Sequence, residues 1–328
     1  MWFSHCTKVI SIMPIRLFVL LSLLLFAFHS AVAAPSYQAG FQYRHMPDGT
    51  EIGIWYPTTG TPVHQHLGIY EQDVAPEAPS LGRHLPLVVI SHGNGGGFSG
   101  HLDTATALAQ AGFVVASLTH PGDNWRDNSH AIHVEERPKA LSRLITYMLT
   151  VWPAHTIIDP SRIGAFGFSS GGFTVLAAAG GQPDFSRVTE HCRQYPDYYD
   201  CQLIKRHPDP LPNWTDSRDP RIKAIVVAAP ALGYTFGRDG LRDVTLPVQL
   251  WRADNDHILP APLYADAVSA DLPHKPEFHE VRNAGHFDFL APCTASISIC
   301  QSAPDFDRVA FHRIFNADIV TFFMRMLH

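Results

Sequence analysis

The most informative stretch of this 328-residue chain reads RIGAFGFSSGGF, residues 162–173. An apolar run ends at Phe168, Ser169 follows it, and small residues dominate residues 173–179. This order predicts a buried strand that turns sharply into a helix, with the motif Gly-x-Ser-x-Gly at the turn. The motif needs its two glycines because a Cβ at either position would clash with neighbouring backbone. Such a turn holds the serine hydroxyl at the tip of the strand, where it can act as a nucleophile.

Strand-like and helix-like runs alternate on both sides of this turn. The alternation predicts an α/β fold with a mainly parallel central sheet flanked by helices. We expect buried strands at residues 85–91, 113–118, 163–168, 224–229, 248–251 and 278–281. We expect helices at residues 104–111, 136–152, 173–179 and 306–326. Residues 41–45 and 51–56 predict an opening hairpin, and the Pro-rich residues 57–84 predict a weakly patterned surface stretch.

A serine hydroxyl is a weak nucleophile, so it needs a histidine base that a carboxylate orients. The stretch NAGHFD, residues 283–288, supplies a histidine in a glycine-containing loop after a predicted strand. His286 also follows both Ser169 and an acid, which gives the chain order Ser, Asp, His. We therefore predict that His286 is the base, and we assign other histidines such as His64 and His312 to surface or core positions.

These motifs resemble those of the α/β-hydrolase superfamily, and the resemblance extends from residue 85 to residue 290. The loop HGNGGG, residues 92–97, follows a predicted strand at the place where that superfamily has its oxyanion loop. The resemblance implies that the backbone N–H groups of Asn94 and Ser170 bind the oxyanion. Donors fixed in advance around the developing charge are what the chemistry requires. A plain flexible loop is the alternative.

The acid is expected in the stretch WRADNDHILP, residues 251–260. In the superfamily the pattern runs from a small residue through Asp to an apolar pair and Pro. The resemblance therefore favours Asp256, and Asp254 is the alternative. Only one of the two carboxylates is expected to reach His286.

Within the superfamily, four stretches most resemble bacterial predicted dienelactone hydrolases, and they are also similar to the platelet-activating-factor acetylhydrolase and polyester-hydrolase groups. These stretches are SHGNGG at 91–96, THPGDN at 119–124, GFSSGG at 167–172 and GHFDFL at 285–290. True dienelactone hydrolases use a cysteine nucleophile, so Ser169 argues against dienelactone itself as the substrate. His120 is predicted either to line the acyl pocket or to be a structural histidine bonded to its own loop.

Residues 181–219 interrupt the core between the helix after Ser169 and the next strand. We predict a cap-like insertion that shapes the substrate pocket, and the alternative is a plain surface excursion. In an oxidising compartment, local pairing of the cysteines is favoured among three connectivities. The favoured disulfides are Cys192 with Cys201 and Cys293 with Cys300.

Residues 1–33 predict a secretory signal peptide. Lys8 and Arg16 precede an apolar run at residues 17–28 that is too short to span a bilayer, and the small residues AVAA follow at 31–34. We expect cleavage after Ala33, which leaves one catalytic domain, residues 34–328, in the periplasm or outside the cell with no stable membrane anchor. A retained N-terminal anchor is the alternative.

Composition excludes several other classes of protein. The chain is 46% hydrophobic and 16% charged, so it can bury a large core and is not a disordered tail. Its 24 basic and 30 acidic residues give a formal net charge of −6, which gives no reason to expect nucleic-acid binding. The patterns H-E-x-x-H, C-x-x-C and the glycine-rich phosphate loops are missing, so we expect no metal and no cofactor.

The sequence therefore predicts a secreted or periplasmic serine hydrolase that cleaves carboxylic esters, small or polymeric, through an acyl-enzyme. Ser169 would attack, His286 would transfer the proton and Asp256 would orient the imidazole. A serine peptidase or amidase of the same fold is the first alternative, because the same groups cleave amides. A non-catalytic binding protein that kept the fold is the second.

Overall fold

A twisted sheet with helices on both faces organises the chain. The computed structural model describes residues 1–4, 37–294 and 296–328. The predicted signal peptide therefore lies outside the described residues from residue 5 onward. The described residues from Tyr37 to His328 form one compact unit. In the described part of the chain, no helix is both long enough and apolar enough to cross a membrane.

The strands and helices follow one another along the chain with short connections. The strands are β1 Gln38–His45, β2 Glu51–Thr58, β3 Val63–Leu67, β4 Tyr70–Pro76, β5 Leu85–Ser91, β6 Val114–Leu118, β7 Ile158–Phe168, β8 Ile222–Ala228, β9 Val248–Ala253 and β10 Glu277–Val281. The helices are α1 Leu102–Gln110, α2 Glu136–Thr150, α3 Ser170–Ala178, α4 Ser186–Gln194, α5 Tyr199–Arg206, α6 Gly237–Leu241, α7 Ala265–Asp271 and α8 Arg308–Leu327.

These strands form one sheet in the order β10-β9-β8-β7-β5-β6-β2-β1-β4-β3. The six strands from β10 to β6 run parallel to one another. β2 pairs antiparallel with both β6 and β1, so the predicted opening hairpin is present. The carboxyl ends of β5, β7, β9 and β10 therefore meet at one edge of the sheet, which is where open α/β sheets place their ligands.

The neighbouring parallel strands β5 and β6 are almost entirely apolar because helices cover both faces of the sheet there. In β5, Leu87 and Val89 pack into the same apolar core as α2 and α3. The alternate residues Val88 and Ile90 pack into the core shared with α1 and α8. Each fully buried aliphatic side chain of this kind stabilises the fold by about 1.5–3 kcal/mol relative to exposure.

Residues 57–84 are more ordered than their sequence indicates. We predicted a weakly patterned surface stretch, and the structure has the antiparallel pair β3–β4 there instead. The strand β3 reads VHQHL and is exposed along much of its length, so its hydrophobic alternation is too weak to identify it. Its position at the edge of the sheet explains why such a polar strand is tolerated.

Candidate active site

Ser169 lies at the turn between β7 and α3, as the motif predicts. Its backbone has φ +56° and ψ −119°, a strained conformation for a residue with a side chain. The motif glycines make this turn possible. A Cβ on Gly167 would lie 2.0 Å from the carbonyl oxygen of Gly171, and a Cβ on Gly171 would lie 1.8 Å from that of Ser91. The surrounding packing therefore fixes the serine at the strand tip.

His286 begins a short 3₁₀ turn, His286–Phe289, after β10. Its Nε2 is 3.0 Å from the Oγ of Ser169, and its Nδ1 is 2.7 Å from Oδ2 of Asp256. All three side chains are buried. This hydrogen-bonded chain is the arrangement in which an imidazole can take a proton from a hydroxyl while a carboxylate stabilises the resulting charge.

Asp256 rather than Asp254 makes this contact. Asp256 follows β9, and its second oxygen, Oδ1, accepts the backbone N–H groups of Ile258 at 2.9 Å and Leu259 at 2.7 Å. These bonds fix the orientation of the carboxylate. Asp254 is exposed.

Asn94 and Ser170 flank Ser169 on two different segments. Ser170 is the first residue of α3, and Asn94 lies in the glycine-rich loop after β5. That loop abuts the serine, since a Cβ on Gly93 would be 3.1 Å from the Cβ of Ser169. Within the described residues, neither the Asn94 nor the Ser170 backbone N–H donates a hydrogen bond to another group. Both donors are thus free for a substrate oxygen.

A buried ion pair behind this loop was not predicted. Arg137 of α2 contacts Asp123 at 2.5 Å, and both side chains are only 3% exposed. The other oxygen of Asp123 accepts the side-chain N–H of Asn94 at 2.6 Å and the backbone N–H of Gly95 at 2.9 Å. Arg137 also donates to the carbonyl oxygen of His92. The pair therefore fixes the loop that carries the Asn94 N–H.

Arg137 also reaches the nucleophile helix. Its Nε donates to the hydroxyl of Thr174 at 3.1 Å, and that hydroxyl donates to the carbonyl oxygen of Ser170 at 2.7 Å. The sequence contained a signal for this residue. Arg137 is four residues before Leu141, so it lies on the apolar stripe of α2, where an unpaired charge would be costly.

His120 does not line the cavity next to Ser169, and the structure corrects that prediction. It lies behind the loop, where its Nε2 is 2.8 Å from the hydroxyl of Ser91. Its backbone N–H donates to Nε2 of His92 at 2.9 Å. Its role is therefore structural, although its ring bonds to the neighbouring strand rather than to its own loop. Burial, reinforced by the positive charge of Arg137, holds the pKa of both histidines well below the usual range, so both rings stay neutral.

A second buried ion pair, also not predicted, lies behind His286. Arg308 of α8 donates from Nε to Oδ1 of Asp288 at 3.0 Å. The other oxygen of Asp288 accepts the backbone N–H of Gly285 at 2.8 Å. Arg308 also donates to the carbonyl oxygens of Ile299 and Gln301. Asp288 stood inside the stretch GHFDFL, but nothing local to it indicated a partner twenty residues away.

Two of the cavities formed by the described residues border the site. The smaller, of about 40 Å³, is lined by Ser169 and Ser170 and by apolar side chains that include Ile132, Leu203 and Leu232. The larger is a cleft of about 410 Å³ along the glycine-rich loop. Its walls include Trp125, Phe168, Phe287, Leu290 and Ile299.

The predicted insertion, residues 181–219, contains α4 and α5 and contributes walls of the smaller cavity. The disulfide Cys192–Cys201 joins these two helices, and the disulfide Cys293–Cys300 closes a loop beyond His286. Asp200 of α5 is buried and accepts hydrogen bonds from the hydroxyls of Tyr234 at 2.9 Å and Tyr264 at 3.0 Å. These tyrosines belong to loops after β8 and β9, so the insertion is fixed to the sheet.

Two groups of side chains in the described residues have the spacing of metal ligands. His191, Asp200 and Cys201 are close together, but the sulfur of Cys201 is committed to its disulfide. His64, His66 and Glu71 lie on the exposed pair β3–β4. Neither group contacts Ser169 or His286 through a hydrogen bond.

Comparisons with known proteins cover part of the chain. Residues 97–190, which include Ser169 with its flanking strand and helix, match the prolyl oligopeptidase family. A protein named "Putative esterase NocK" from Nocardia uniformis subsp. tsuyamanensis is 29% identical over 134 residues. That alignment covers 39% of this chain and 38% of the relative. The resemblance to dienelactone hydrolases stays a prediction. The parallel sheet, its flanking helices and the match around Ser169 together identify the chain as an α/β-hydrolase fold.

Proposed function

We propose that this protein is a serine hydrolase that cleaves carboxylic esters through an acyl-enzyme. The observation that carries the proposal is the buried hydrogen-bonded chain from Ser169 through His286 to Asp256. The match to a hydrolase family around Ser169 and the similarity to a protein named as an esterase support it.

The reaction follows from the geometry of these groups. Nε2 of His286 takes the proton of Ser169 as Oγ attacks the ester carbonyl, and the N–H groups of Asn94 and Ser170 bind the oxyanion. The imidazolium, stabilised by Asp256, then gives its proton to the leaving alcohol. A water molecule, deprotonated by His286, attacks the acyl-enzyme and releases the acid. Ser169 regains its proton and the cycle closes.

The cavities support an assignment of the two halves of the ester. The leaving alcohol must lie beside His286, which protonates it. Phe287 and Leu290 follow His286 and line the larger cleft, so this cleft receives the alcohol. The smaller cavity receives the acyl chain. This cavity is small, at about 40 Å³, so a short acyl chain fits it better than a long one.

The insertion acts in this proposal as a fixed cap over the acyl cavity. Its helices supply Val188 and Leu203 to the wall, and the buried bonds of Asp200 to two tyrosines hold them there. The one charged residue among the described lining residues, Asp200, is already engaged by those hydroxyls. An uncharged acyl group is therefore favoured. The two disulfides support secretion to an oxidising compartment such as the periplasm.

A peptidase is the second candidate, since the family matched around Ser169 is named for oligopeptidases. The two candidates separate when p-nitrophenyl butyrate is compared with peptide p-nitroanilides. We expect hydrolysis of the ester and little hydrolysis of the anilides. Faster cleavage of a peptide anilide would favour the peptidase.

Site variants test the triad within the same assay. Ser169→Ala is expected to abolish turnover, and Asp256→Asn to lower kcat by about 10⁴-fold with the fold intact. Asp254→Asn is the matched control and is expected to behave as wild type. Loss of activity in Asp254→Asn with retention in Asp256→Asn would overturn the assignment.

A matched pair of truncations tests the two cavities. Leu203→Ala enlarges the acyl cavity, so it is expected to move the preferred acyl length by about two carbons. Ile299→Ala enlarges the cleft, so it is expected to change preference among alcohols and leave the acyl profile unchanged. The reverse pattern would show that the two cavities are assigned the wrong way round.

A further inference from the structure

The hairpin β3–β4 carries a cluster of polar side chains far in sequence from the residues of the active site. In its antiparallel register, His64 faces Asp73 and His66 faces Glu71. Residues two apart on a strand point to the same face, and directly paired residues share that face. All four side chains therefore lie on one face of the hairpin, and all four are exposed.

Three of these side chains present ligand atoms at the spacing of a metal site. The Nδ1 of His66 is 3.4 Å from one carboxylate oxygen of Glu71, and Nε2 of His64 is 3.6 Å from the other. A tetrahedral zinc ion with bonds of about 2.0–2.1 Å separates its ligand atoms by about 3.3 Å. The ligand atoms of His64, His66 and Glu71 all lie within 4.8 Å of one another.

Asp73 provides the support that metal-binding histidines usually have. Its carboxylate lies 3.0 Å from Nδ1 of His64. If Nδ1 carries the proton in this bond, Nε2 keeps a lone pair for a metal ion, and Nε2 lies 3.6 Å from Glu71. Histidine ligands in metal sites commonly donate their second N–H to a carboxylate in this way, which fixes the tautomer and raises the basicity of the ligand.

We propose that His64, His66 and Glu71 form a site for a divalent transition-metal ion, with zinc the best fit, and that Asp73 positions His64. Two imidazoles and one carboxylate match the preference of zinc, whereas calcium and magnesium prefer oxygen ligands alone. Water completes the coordination on the solvent side. The site joins both strands of an edge hairpin whose turn, Gly68–Ile69, borders the larger cleft.

The sequence contains a pattern that indicates this site, although we expected no metal from the sequence. The pattern His-x-His at residues 64–66 puts two imidazoles on one face only if the segment is a strand. We predicted residues 57–84 as a weakly patterned surface stretch, where the spacing of the two histidines does not indicate a shared face. The pairing of β3 with β4 shows that both lie on one face of a strand.

Calorimetric titration of the chelator-treated full chain with zinc chloride tests the proposal. We expect one site per chain, and tetrahedral absorption bands when cobalt replaces zinc. His64→Gln and His66→Gln are each expected to lose the site, and Asp73→Asn to weaken it 10- to 100-fold. His45→Gln is the matched control, because His45 is a similarly exposed histidine 4.0 Å from a glutamate but without a second histidine beside it.

Loss of zinc binding can be distinguished from loss of folding, because the hairpin is exposed and these substitutions remove no buried contact. Loss of binding in His64→Gln and His66→Gln with retention in His45→Gln supports the site. A wild-type chain that takes up no zinc, or His64→Gln and His66→Gln variants that bind it as tightly as wild type, would overturn it. Ester hydrolysis is not needed for any of these readouts.

Discussion

The two loops that meet at Ser169 are each held from behind by a buried arginine–aspartate pair, and the pairs differ in what they hold. Asp123 accepts two hydrogen bonds from the glycine-rich loop after β5, one from Asn94 and one from Gly95. Asp288 accepts one from the loop that carries His286, donated by the backbone N–H of Gly285. The first pair fixes a donor that would act on the transition state. The second fixes the base.

The surroundings of the two pairs differ as well. Arg137 has two buried neutral histidines beside it, and its charge is one cause of their lowered pKa values. Arg308 instead reaches the backbone of the loop that Cys293–Cys300 closes. The Arg137–Asp123 pair therefore lies in an enclosed region with two buried histidines. The Arg308–Asp288 pair lies beside a loop that a disulfide also holds.

The largest expected effect comes from breaking the first pair. Asp123→Asn leaves the charge of Arg137 buried without its partner, so we expect the free energy of unfolding to fall by about 3–5 kcal/mol. The loosened loop is expected to lower kcat by about 100-fold with little change in KM. Urea unfolding and ester kinetics measure both. The exposed Asp127 in the same segment is the control, and an Asp123→Asn variant with wild-type kcat would refute the positioning role.

A smaller effect is expected from Asp288→Asn. In this variant the hydrogen bond from the Gly285 N–H no longer has a charged acceptor, so it becomes weaker. Arg308 keeps its hydrogen bonds to the carbonyl oxygens of Ile299 and Gln301. We expect about 3 kcal/mol of destabilisation and a fall in kcat of about tenfold. A trifluoromethyl ketone, which forms a tetrahedral oxyanion on a serine, separates the two pairs. Its affinity should fall more in Asp123→Asn than in Asp288→Asn, and equal losses would contradict the division of roles.

The third test uses acid instead of a substitution at either pair. His92 and His120 stay neutral in the folded protein, whereas in the unfolded chain each takes up a proton as the pH falls below about 6.5. The unfolded state binds more protons, so stability falls with falling pH. Together the two imidazoles should lower the free energy of unfolding by about 2.7 kcal/mol between pH 7.5 and pH 5.5.

His120→Gln checks the origin of this acid sensitivity. Glutamine can keep a hydrogen bond to Ser91 but does not titrate, so the pH-dependent loss measured by urea unfolding should shrink by about 1.4 kcal/mol, the share of one ring. An unchanged pH dependence would show that the acid sensitivity arises elsewhere.

Much of the fold and the three central side chains could be predicted from sequence because their signals are local. Ser169 stands in a five-residue motif between a strand and a helix, and His286 stands in a glycine loop after a strand. Their chemistry also requires particular residue types in a particular chain order. Asp256 needed the resemblance to separate it from Asp254, since both follow the same strand.

The position of Arg137 on the apolar stripe of α2 indicated a buried charge, but the partners of the supporting residues could not be predicted because they are remote in sequence. Asp123 and Arg137 are brought together by the packing of α2 against the loop after β6, and His92 lies 45 residues from the guanidinium that binds its carbonyl. The burial of His120 likewise depends on where β5 and β6 lie side by side. The hairpin β3–β4 was missed because β3 is largely polar and exposed, and β4 adds only Tyr70, Val74 and Ala75 as buried apolar residues.

Labelling with a fluorophosphonate tests the central claim most directly, because this reagent reacts far faster with a serine activated by a base than with an ordinary serine. We expect one adduct per chain, mapped by mass spectrometry to Ser169, with none in Ser169→Ala and wild-type labelling in Asp254→Asn. A folded wild-type protein that is not labelled, or that is labelled at another residue, would contradict the proposal that Ser169, His286 and Asp256 form a catalytic triad.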